Sequence, residues 1–156
     1  REKSSARSHM HNASCMAGMA FNSAGLGLVH GMAHAIGGML HIPHGKINAM
    51  LLPLIIEHNA ERSPRAATRY QTCAAIMGLQ AATPQQTLNA LVNSIRSLNR
   101  RFAIPATLKE LGTDMAHFDS LRRSLIAAAL ADGCTATNPC PPEPGDIDSL
   151  LTRIAG

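Results

Sequence analysis

Apolar residues recur at helical spacing along most of this 156-residue chain. Residues three or four positions apart share one face of a helix, so this spacing is typical of amphipathic helices. No window shows the alternation of a half-buried strand. The pattern therefore predicts an all-α fold. Its predicted helices cover residues 5–24, 26–39, 44–59, 64–78, 84–101, 106–111, 117–132 and 147–155.

Capping and turn residues mark several of the predicted helix ends. Thr83 followed by Pro84 is typical of an N-cap with proline in the first helical position. Gly37-Gly38 predicts the end of the second helix, since glycine is favoured just past a helix C-terminus. Pro53 predicts a kink or break in the third helix. Asp146 is expected to cap the last helix.

The length fits one domain. The core should contain few aromatic rings, because the chain has no Trp, one Tyr, three Phe and eight Met. Such a composition favours close-packed helices over a sheet. We expect residues 1–156 to form a single helical domain, with 135–145 a loop and 1–9 either disordered or left by an expression tag. Arg1 in place of Met suggests a fragment of a longer protein or a processed product.

Charge and cysteines limit the functional classes. The net charge is +4, but the arginines are scattered, whereas a nucleic-acid-binding face needs a basic cluster. The N-terminus does not resemble a signal peptide. The four cysteines lack zinc-type pairing, so we expect reduced thiols and a cytoplasmic location. A Cys134–Cys140 disulfide would require an oxidising compartment, which nothing in the sequence indicates.

The segment Gly27–Pro53 carries four of the eight histidines in an apolar setting. No Asp, Glu, Lys or Arg occurs between Arg7 and Lys46. Grouped imidazoles in such surroundings suit a metal or proton-transfer site. The four are His30, His34, His41 and His44.

Spacing alone leaves the roles of these histidines open. His30 and His34 lie one turn apart on one helix face, the spacing of zinc proteases. The intervening residues lack the glutamate that would act as general base, so that chemistry is excluded. The pair could bind a metal, combine one ligand with one proton-transfer residue, or be ordinary core histidines. His41 and His44, each taken alone, would more often be structural or exposed.

A membrane helix is the alternative interpretation of the same region. Ala13–Leu40 carries no formal charge and is long enough to span a bilayer. Asn22, Ser23, the histidines and several glycines argue against a span, and aromatic anchors are missing. A buried helix pair in a soluble domain explains the same run.

The combined motifs resemble the helical C-terminal half of the iron-containing (group III) alcohol dehydrogenases. The resemblance extends from about residue 10 to the C-terminus. It implies a dehydroquinate-synthase-like multi-helix bundle, with the family's N-terminal α/β nucleotide domain absent from this chain. The matching motifs are residues 11–21, Gly25-Leu26-Gly27-Leu28, His30-Gly-Met-Ala-His34, Pro43-His44-Gly45, Asn48-Ala49, Leu52-Pro53, Cys134-xxx-Asn138-Pro139 and Asp146-Ile147.

The resemblance also implies roles for particular residues. His30 and His44 would ligate Fe²⁺, with Zn²⁺ as an alternative metal. His34 would lie beside the substrate and nicotinamide as a proton-relay or positioning residue. Phe21, Leu26 and Cys134 match positions that line the substrate and nicotinamide pocket. The family's two other ligands, an Asp and a His, and most of the NAD(P) site would precede residue 1.

Two positions depart from the family pattern. Ala35 stands where members often have Pro, and Cys140 where they usually have Arg. The implied function is NAD(P)-linked interconversion of small primary alcohols and aldehydes, in a homo-oligomer such as a dimer. The chain alone, without its own N-terminal domain, is expected to be inactive. The alternative is a helical metal-binding or assembly module without redox chemistry.

Overall fold

The structure is a computed structural model that describes residues 2–156. It contains seven α-helices and one short 3-10 helix, with no strand among the described residues, which confirms the predicted all-α class. The elements are α1 (Glu2–Ala24), α2 (Gly27–Leu40), α3 (His44–Arg62), α4 (Pro64–Ile76), α5 (Pro84–Arg101), α6 (Met115–Ala131), the 3-10 helix (Thr135–Thr137) and α7 (Pro144–Ala155).

The N-terminus of α5 agrees with its prediction, but two other helix ends do not. Thr83 accepts from the backbone N–H of Gln86, whose side chain accepts from the N–H of Thr83, a complete capping box. The predicted end at Gly37-Gly38 is wrong, because α2 continues to Leu40 and ends with His41 in the left-handed region at φ 54°. Asp146 lies in the first turn of α7, where its carboxylate accepts from Glu143, the actual N-cap.

The predicted helix over 106–111 is also wrong, since this segment is a series of turns. The N–H groups of Leu108 and Lys109 donate to the carbonyls of Ile154 and Ala155, at 2.8 and 3.2 Å. These tertiary bonds to the end of α7 replace bonds within a helix. The predicted break at Pro53 does not occur either, because α3 runs through it to Arg62.

Two segments that were expected to lack regular structure contain helix. Helix α1 begins at Glu2, so residues 2–9 are helical rather than disordered, while Arg1 lies outside the described residues. The expected loop over 135–145 contains the 3-10 helix and the start of α7. Within residues 2–156, no helix combines the length and the hydropathy needed to cross a membrane.

The core surrounds α2, which packs against both α3 and α6. The apolar side chains of the core are almost completely buried. Phe118 is the one aromatic ring among the largest fully buried side chains, as the composition predicts. A smaller cluster of Ile56, Leu88 and Val92 joins α3 to α5. The main core is formed by Leu28, Met32, Ile36, Ile47, Leu51, Ile55, Phe118, Leu125, Ile147, Leu150, Leu151 and Ile154.

Gly31 allows α2 to lie close to the end of α6. A Cβ at this position would overlap the Oγ1 of Thr135 and come within 3.3 Å of the Ala129 carbonyl oxygen. Thr135 is itself held in place, since its hydroxyl donates to that carbonyl at 2.6 Å. The absent side chain therefore sets the distance between the histidine-bearing helix and the turn after α6.

A methyl group at this contact should weaken the fold. We expect Gly31→Ala to lower the free energy of unfolding by about 1–3 kcal/mol, the usual cost of overpacking. Gly38→Ala in the same helix is the matched control, because nothing lies within 4 Å of its added Cβ. It should leave stability unchanged or raise it by up to about 1 kcal/mol, through helix propensity. Urea unfolding followed by circular dichroism measures both, and equal stabilities would contradict the close contact.

The end of α3 combines ion pairs with a buried histidine. Glu57 binds both Arg96 and Arg153, and Arg62 pairs with the buried Asp146. His58 is 7% exposed, and its Nε2 has no hydrogen-bond partner. Burial holds the pKa of His58 below its ordinary value of 6.5, although Asp146 acts in the opposite direction. The ring is therefore neutral in the folded state at neutral pH.

This buried ring predicts a loss of stability in mild acid. The folded-state pKa lies below the unfolded one, so the unfolded chain takes up more protons as the pH falls below 6.5. The free energy of unfolding should therefore fall as the pH is lowered through 6.5, and His58→Gln should make this fall smaller. Unfolding free energies at about pH 7.5 and about pH 5.5 provide the test. The exposed His117→Gln is the control, and an identical decline in both variants would argue against His58 as the source.

Candidate metal centre

Three of the four predicted histidines form one cluster. Helix α2 presents His30 and His34 one turn apart, and α3 begins at His44. The ring centroid of His30 lies 6.0 Å from that of His34 and 5.2 Å from that of His44. The rings of His34 and His44 are stacked, with their centroids 5.1 Å apart. His41, exposed at the C-terminus of α2, is not among these paired rings. This placement agrees with the expectation that His41, taken alone, is structural or exposed.

Asn48 brings the two predicted metal ligands to one point. Its side-chain Nδ2 lies 3.2 Å from the Nε2 of His30 and 2.8 Å from the Nε2 of His44. An amide nitrogen donates, so both imidazoles accept through Nε2 lone pairs that converge on this position. Two convergent neutral imidazole nitrogens are half of a four-coordinate site for Fe²⁺ or Zn²⁺.

The surroundings of His30 favour its neutral form. Burial lowers the pKa of His30, and the neighbouring His44 and His34 lower it further, against opposing effects of Asp132 and the Leu26 carbonyl. The Oδ1 of Asn48 is buried without a hydrogen-bond partner. A metal ligand must be an unprotonated imidazole, so the lowered pKa of His30 fits a ligand of a divalent ion.

His34 has a different partner. Its Nδ1 lies 2.9 Å from the Oδ2 of Asp132, the residue that ends α6. A carboxylate accepts, so in the neutral ring Nδ1 carries the proton and Nε2 is left as the basic nitrogen. The side chain of His34 is 43% exposed. Among the three clustered histidines, His34 is the one that a carboxylate contacts at hydrogen-bond distance.

Asp132 and Cys134 influence one another. Burial acts to raise the pKa of Asp132, but hydrogen bonds from the Cys134 backbone N–H and from His34 outweigh it and leave the pKa below its usual value. Burial and the adjacent Asp132 raise the pKa of Cys134. The carboxylate is therefore ionised at neutral pH, and the thiol keeps its proton. A protonated thiol is a poor nucleophile.

The predicted pocket residues are spread over the structure. Cys134 is half-buried and close to His34. Phe21 lies on α1 and is 46% exposed. Leu26, between α1 and α2, lines a cavity of about 300 Å³ together with Tyr70 and Asn138, and none of the three clustered histidines lines that cavity. The pocket roles of Phe21 and Leu26 stay predictions.

A buried amide pair fixes the start of the histidine-bearing helix. Asn138 and Asn59 exchange hydrogen bonds of 2.8 and 3.1 Å, and the backbone N–H of Leu28 donates to Asn138 at 3.2 Å. Cys140 belongs to this network through its carbonyl oxygen and through its thiol, which donates to Asn59. All four cysteines are free, so the Cys134–Cys140 disulfide does not form.

Sequence reasoning missed two contributions to the site. Asn48 was noted within a motif but was given no role, although its position one turn after His44 was a signal that it shares a helix face. Asp132 had no such signal, because it lies 98 residues from His34. Only the packing of α2 against α6 brings that pair together.

Known proteins are similar to this chain in sequence and in fold. Residues 1–155 match the profile described as the Fe-containing alcohol dehydrogenase family, C-terminal. The chain is 40% identical over 134 residues to a NADPH-dependent butanol dehydrogenase of Clostridium saccharobutylicum. It is 41% identical over 150 residues to a 1-propanol dehydrogenase of Salmonella typhimurium. These alignments cover 86% and 95% of the chain, but 34% and 40% of the two relatives.

Solved structures give the same result for the fold. A 1,3-propanediol oxidoreductase superposes with a TM-score of 0.84 and 32% identity, over 96% of this chain and 38% of its own. An iron-containing alcohol dehydrogenase from Thermococcus thioreducens superposes with a TM-score of 0.85 and 35% identity, over 96% and 37% of the two chains. The chain thus spans less than half the length of the proteins it matches.

Proposed function

Because the chain belongs to the Fe-containing alcohol dehydrogenase family, as its C-terminal region, we propose that it is the metal- and substrate-binding part of an alcohol dehydrogenase. The proposed reaction is the NAD(P)-linked interconversion of small primary alcohols and aldehydes. The observation that carries this proposal is the convergence of His30 and His44 on one point, through their Nε2 atoms. Relatives named for butanol and 1-propanol support the substrate class.

We assign the metal to His30 and His44. Their nitrogens converge, and the environment of His30 favours the neutral ring that a ligand requires. Fe²⁺ is the proposed ion, with Zn²⁺ as the alternative, and two further ligands would come from sequence outside these residues. When bound, such an ion acts as a Lewis acid that lowers the pKa of an alcohol hydroxyl.

His34 is proposed to transfer the proton. Asp132 holds its Nδ1–H, so Nε2 can accept a proton, and the carboxylate stabilises the imidazolium that results. The partly exposed ring can then pass this proton to solvent. The hydrogen bond from Nδ1–H to Asp132 holds the ring in one tautomer, so Nε2 stays available as the base.

Apolar and weakly polar groups are proposed to line the substrate pocket. The protonated thiol of Cys134 would contact the carbon chain of the alcohol without competing as a nucleophile. Phe21 and Leu26 are the other proposed pocket residues. An apolar lining excludes water and strengthens the electrostatic effect of nearby charges.

The remaining partners are proposals too. The nicotinamide cofactor would be bound mainly by an N-terminal domain of the same protein, and the protein would act as a homo-oligomer in the cytoplasm. Met16 and Met19 share one face of α1 and are 69% and 68% exposed, and Met10 on another face is 70% exposed, apolar side chains that suit coverage by another domain or subunit.

Metal binding by this chain depends on two of its histidines in our proposal. We expect the chain to bind Fe²⁺ or Zn²⁺ weakly, since two ligands make an open, poorly selective site. His30→Ala and His44→Ala should each remove the ion held between these two residues, so that the number of ions bound per chain falls by one. His41→Asn is the control, because it removes a neighbouring imidazole while Asn tolerates the left-handed backbone of residue 41. Anaerobic titration calorimetry decides, and unchanged binding in the first two variants would rule out the assignment.

An assay of alcohol oxidation distinguishes the proposed enzyme from the alternative, a helical metal-binding module without redox chemistry. The 156-residue chain should not oxidise 1-propanol with NAD⁺ or NADP⁺ in the presence of Fe²⁺. The protein encoded by the complete gene should, and His34→Ala should lower its kcat about 10²- to 10⁴-fold, the usual contribution of a general base. His41→Asn should leave kcat unchanged.

Two outcomes of that assay would contradict the proposal. Oxidation by the 156-residue chain at an ordinary rate would show that no further domain is needed. A complete protein that binds metal through His30 and His44 but oxidises no alcohol would support the helical metal-binding module without redox chemistry.

A further inference from the structure

Three side chains with different donor atoms meet beside His34. One ring nitrogen of His34, a carboxylate oxygen of Asp132 and the Sγ of Cys134 all lie within 4.8 Å of one another. The Nδ1 of His34 is the nitrogen that contacts Asp132, 2.9 Å from its Oδ2. Neither His30 nor His44 belongs to this group. Among residues 2–156, it is the one cluster of at least three such donors close enough to share an ion.

We propose that His34, Asp132 and Cys134 form a second metal site, selective for a thiophilic divalent ion such as Zn²⁺. Binding there would inhibit the enzyme, because it takes His34 away from proton transfer. The inhibitory consequence rests on the proposed function, whereas the site itself rests only on the geometry of these three residues.

The donor set selects the kind of ion. Thiolate, imidazole and carboxylate are all ligands of Zn²⁺, and three protein ligands with one open position are a common zinc arrangement. Hard ions such as Mg²⁺ and Ca²⁺ prefer oxygen ligands and bind thiolate sulfur poorly. The open fourth position would hold water.

The distances require little movement. Bond lengths of about 2.0–2.3 Å in a tetrahedral zinc site place neighbouring donor atoms about 3.3–3.8 Å apart. His34 Nδ1 and Asp132 Oδ2 are 2.9 Å apart, and all three donor atoms lie within 4.8 Å of one another. The widest separation that these distances allow exceeds the tetrahedral spacing by about 1 Å, which is the largest approach that the sulfur would have to make.

The turn that carries two of the ligands is already ordered. The backbone N–H of Cys134 donates to Asp132 Oδ1 at 2.8 Å, and that of Thr135 donates to the Asp132 carbonyl at 3.0 Å. The contact of Thr135 with Gly31 fixes this turn against α2, three residues before His34. The side chains of His34 and Asp132 are 43% and 22% exposed, which leaves an ion a path from solvent.

Occupation of this site changes the state of His34. An ion bound to Nδ1 takes the lone pair there, so the single proton of the neutral ring must lie on Nε2. That proton blocks the nitrogen assigned to proton transfer. The thiol of Cys134 releases its own proton to solvent when sulfur binds the ion. No electron transfer is involved, so removal of the ion restores the original state.

Cobalt titration of the 156-residue chain tests the site without any assay of activity. Co²⁺ replaces Zn²⁺ in such sites and shows a near-ultraviolet charge-transfer band when sulfur is a ligand. We expect the band in the original chain and in the His30→Ala/His44→Ala double variant, with displacement by Zn²⁺. Cys134→Ser should lose the band and Asp132→Asn should weaken it. Cys73→Ser, which removes an exposed thiol outside the cluster, is the control.

Each contrary result has a distinct meaning. Absence of the band in the original chain, or its persistence in Cys134→Ser, would overturn the second site. Loss of the band in the double variant would assign the sulfur to the His30–His44 centre and also overturn it. If the double variant binds as many ions as the original chain, the metal assignment of the proposed function fails, whatever the band shows.

A second measurement does not depend on the folding of any variant. In the original chain, Zn²⁺ should slow the alkylation of Cys134 by iodoacetamide, as read by peptide mass spectrometry. Alkylation of the exposed Cys73 should proceed at the same rate with and without zinc. Equal rates for Cys134 in the two conditions would contradict the site.

Discussion

The close contact between Gly31 and the turn after α6 is the constraint on which this structure depends. A side chain there would overlap Thr135, so only glycine lets α2 approach the end of α6. This approach places His34 beside Asp132, at a distance of 2.9 Å. It also covers Leu28, Met32 and Ile36, the buried apolar face of α2. One missing methyl group thus links the packing of the core to the chemistry of the site.

A buried polar contact complements this apolar one. Asn138 and Asn59 satisfy most of each other's amide groups, and Asn138 also accepts from the N–H of Leu28 at the start of α2. Buried amides are costly when unpaired, so this network admits few alternative positions for the helix. Cys140 fits the network through its carbonyl and thiol. Cys140, one of the two residues that depart from the family pattern, is therefore compatible with the local structure.

The local errors of the sequence analysis have a common cause. Residues 106–111 have a helical composition, but the last turn of α7 takes the N–H groups of Leu108 and Lys109. Gly37-Gly38 suggests a helix end, yet α2 continues because its core contacts outweigh the weak helix propensity of glycine. In both cases a tertiary contact decides between states that differ little in local energy. The N-terminal cap of α5, which uses only the neighbouring Thr83 and Gln86, follows the prediction.

The sequence by itself determined the all-α class, most of the helices and the grouping of histidines, because helical periodicity and the apolar run around His30 and His34 are local properties. Its motifs also indicated the family to which the chain belongs. Tertiary structure alone decided which nitrogen of each imidazole is engaged. Asn48 directs the Nε2 atoms of His30 and His44 to one point, and Asp132 holds the Nδ1 of His34 from 98 residues away. Hydrogen bonds between distant helices set these orientations, and spacing along a chain carries no information about them.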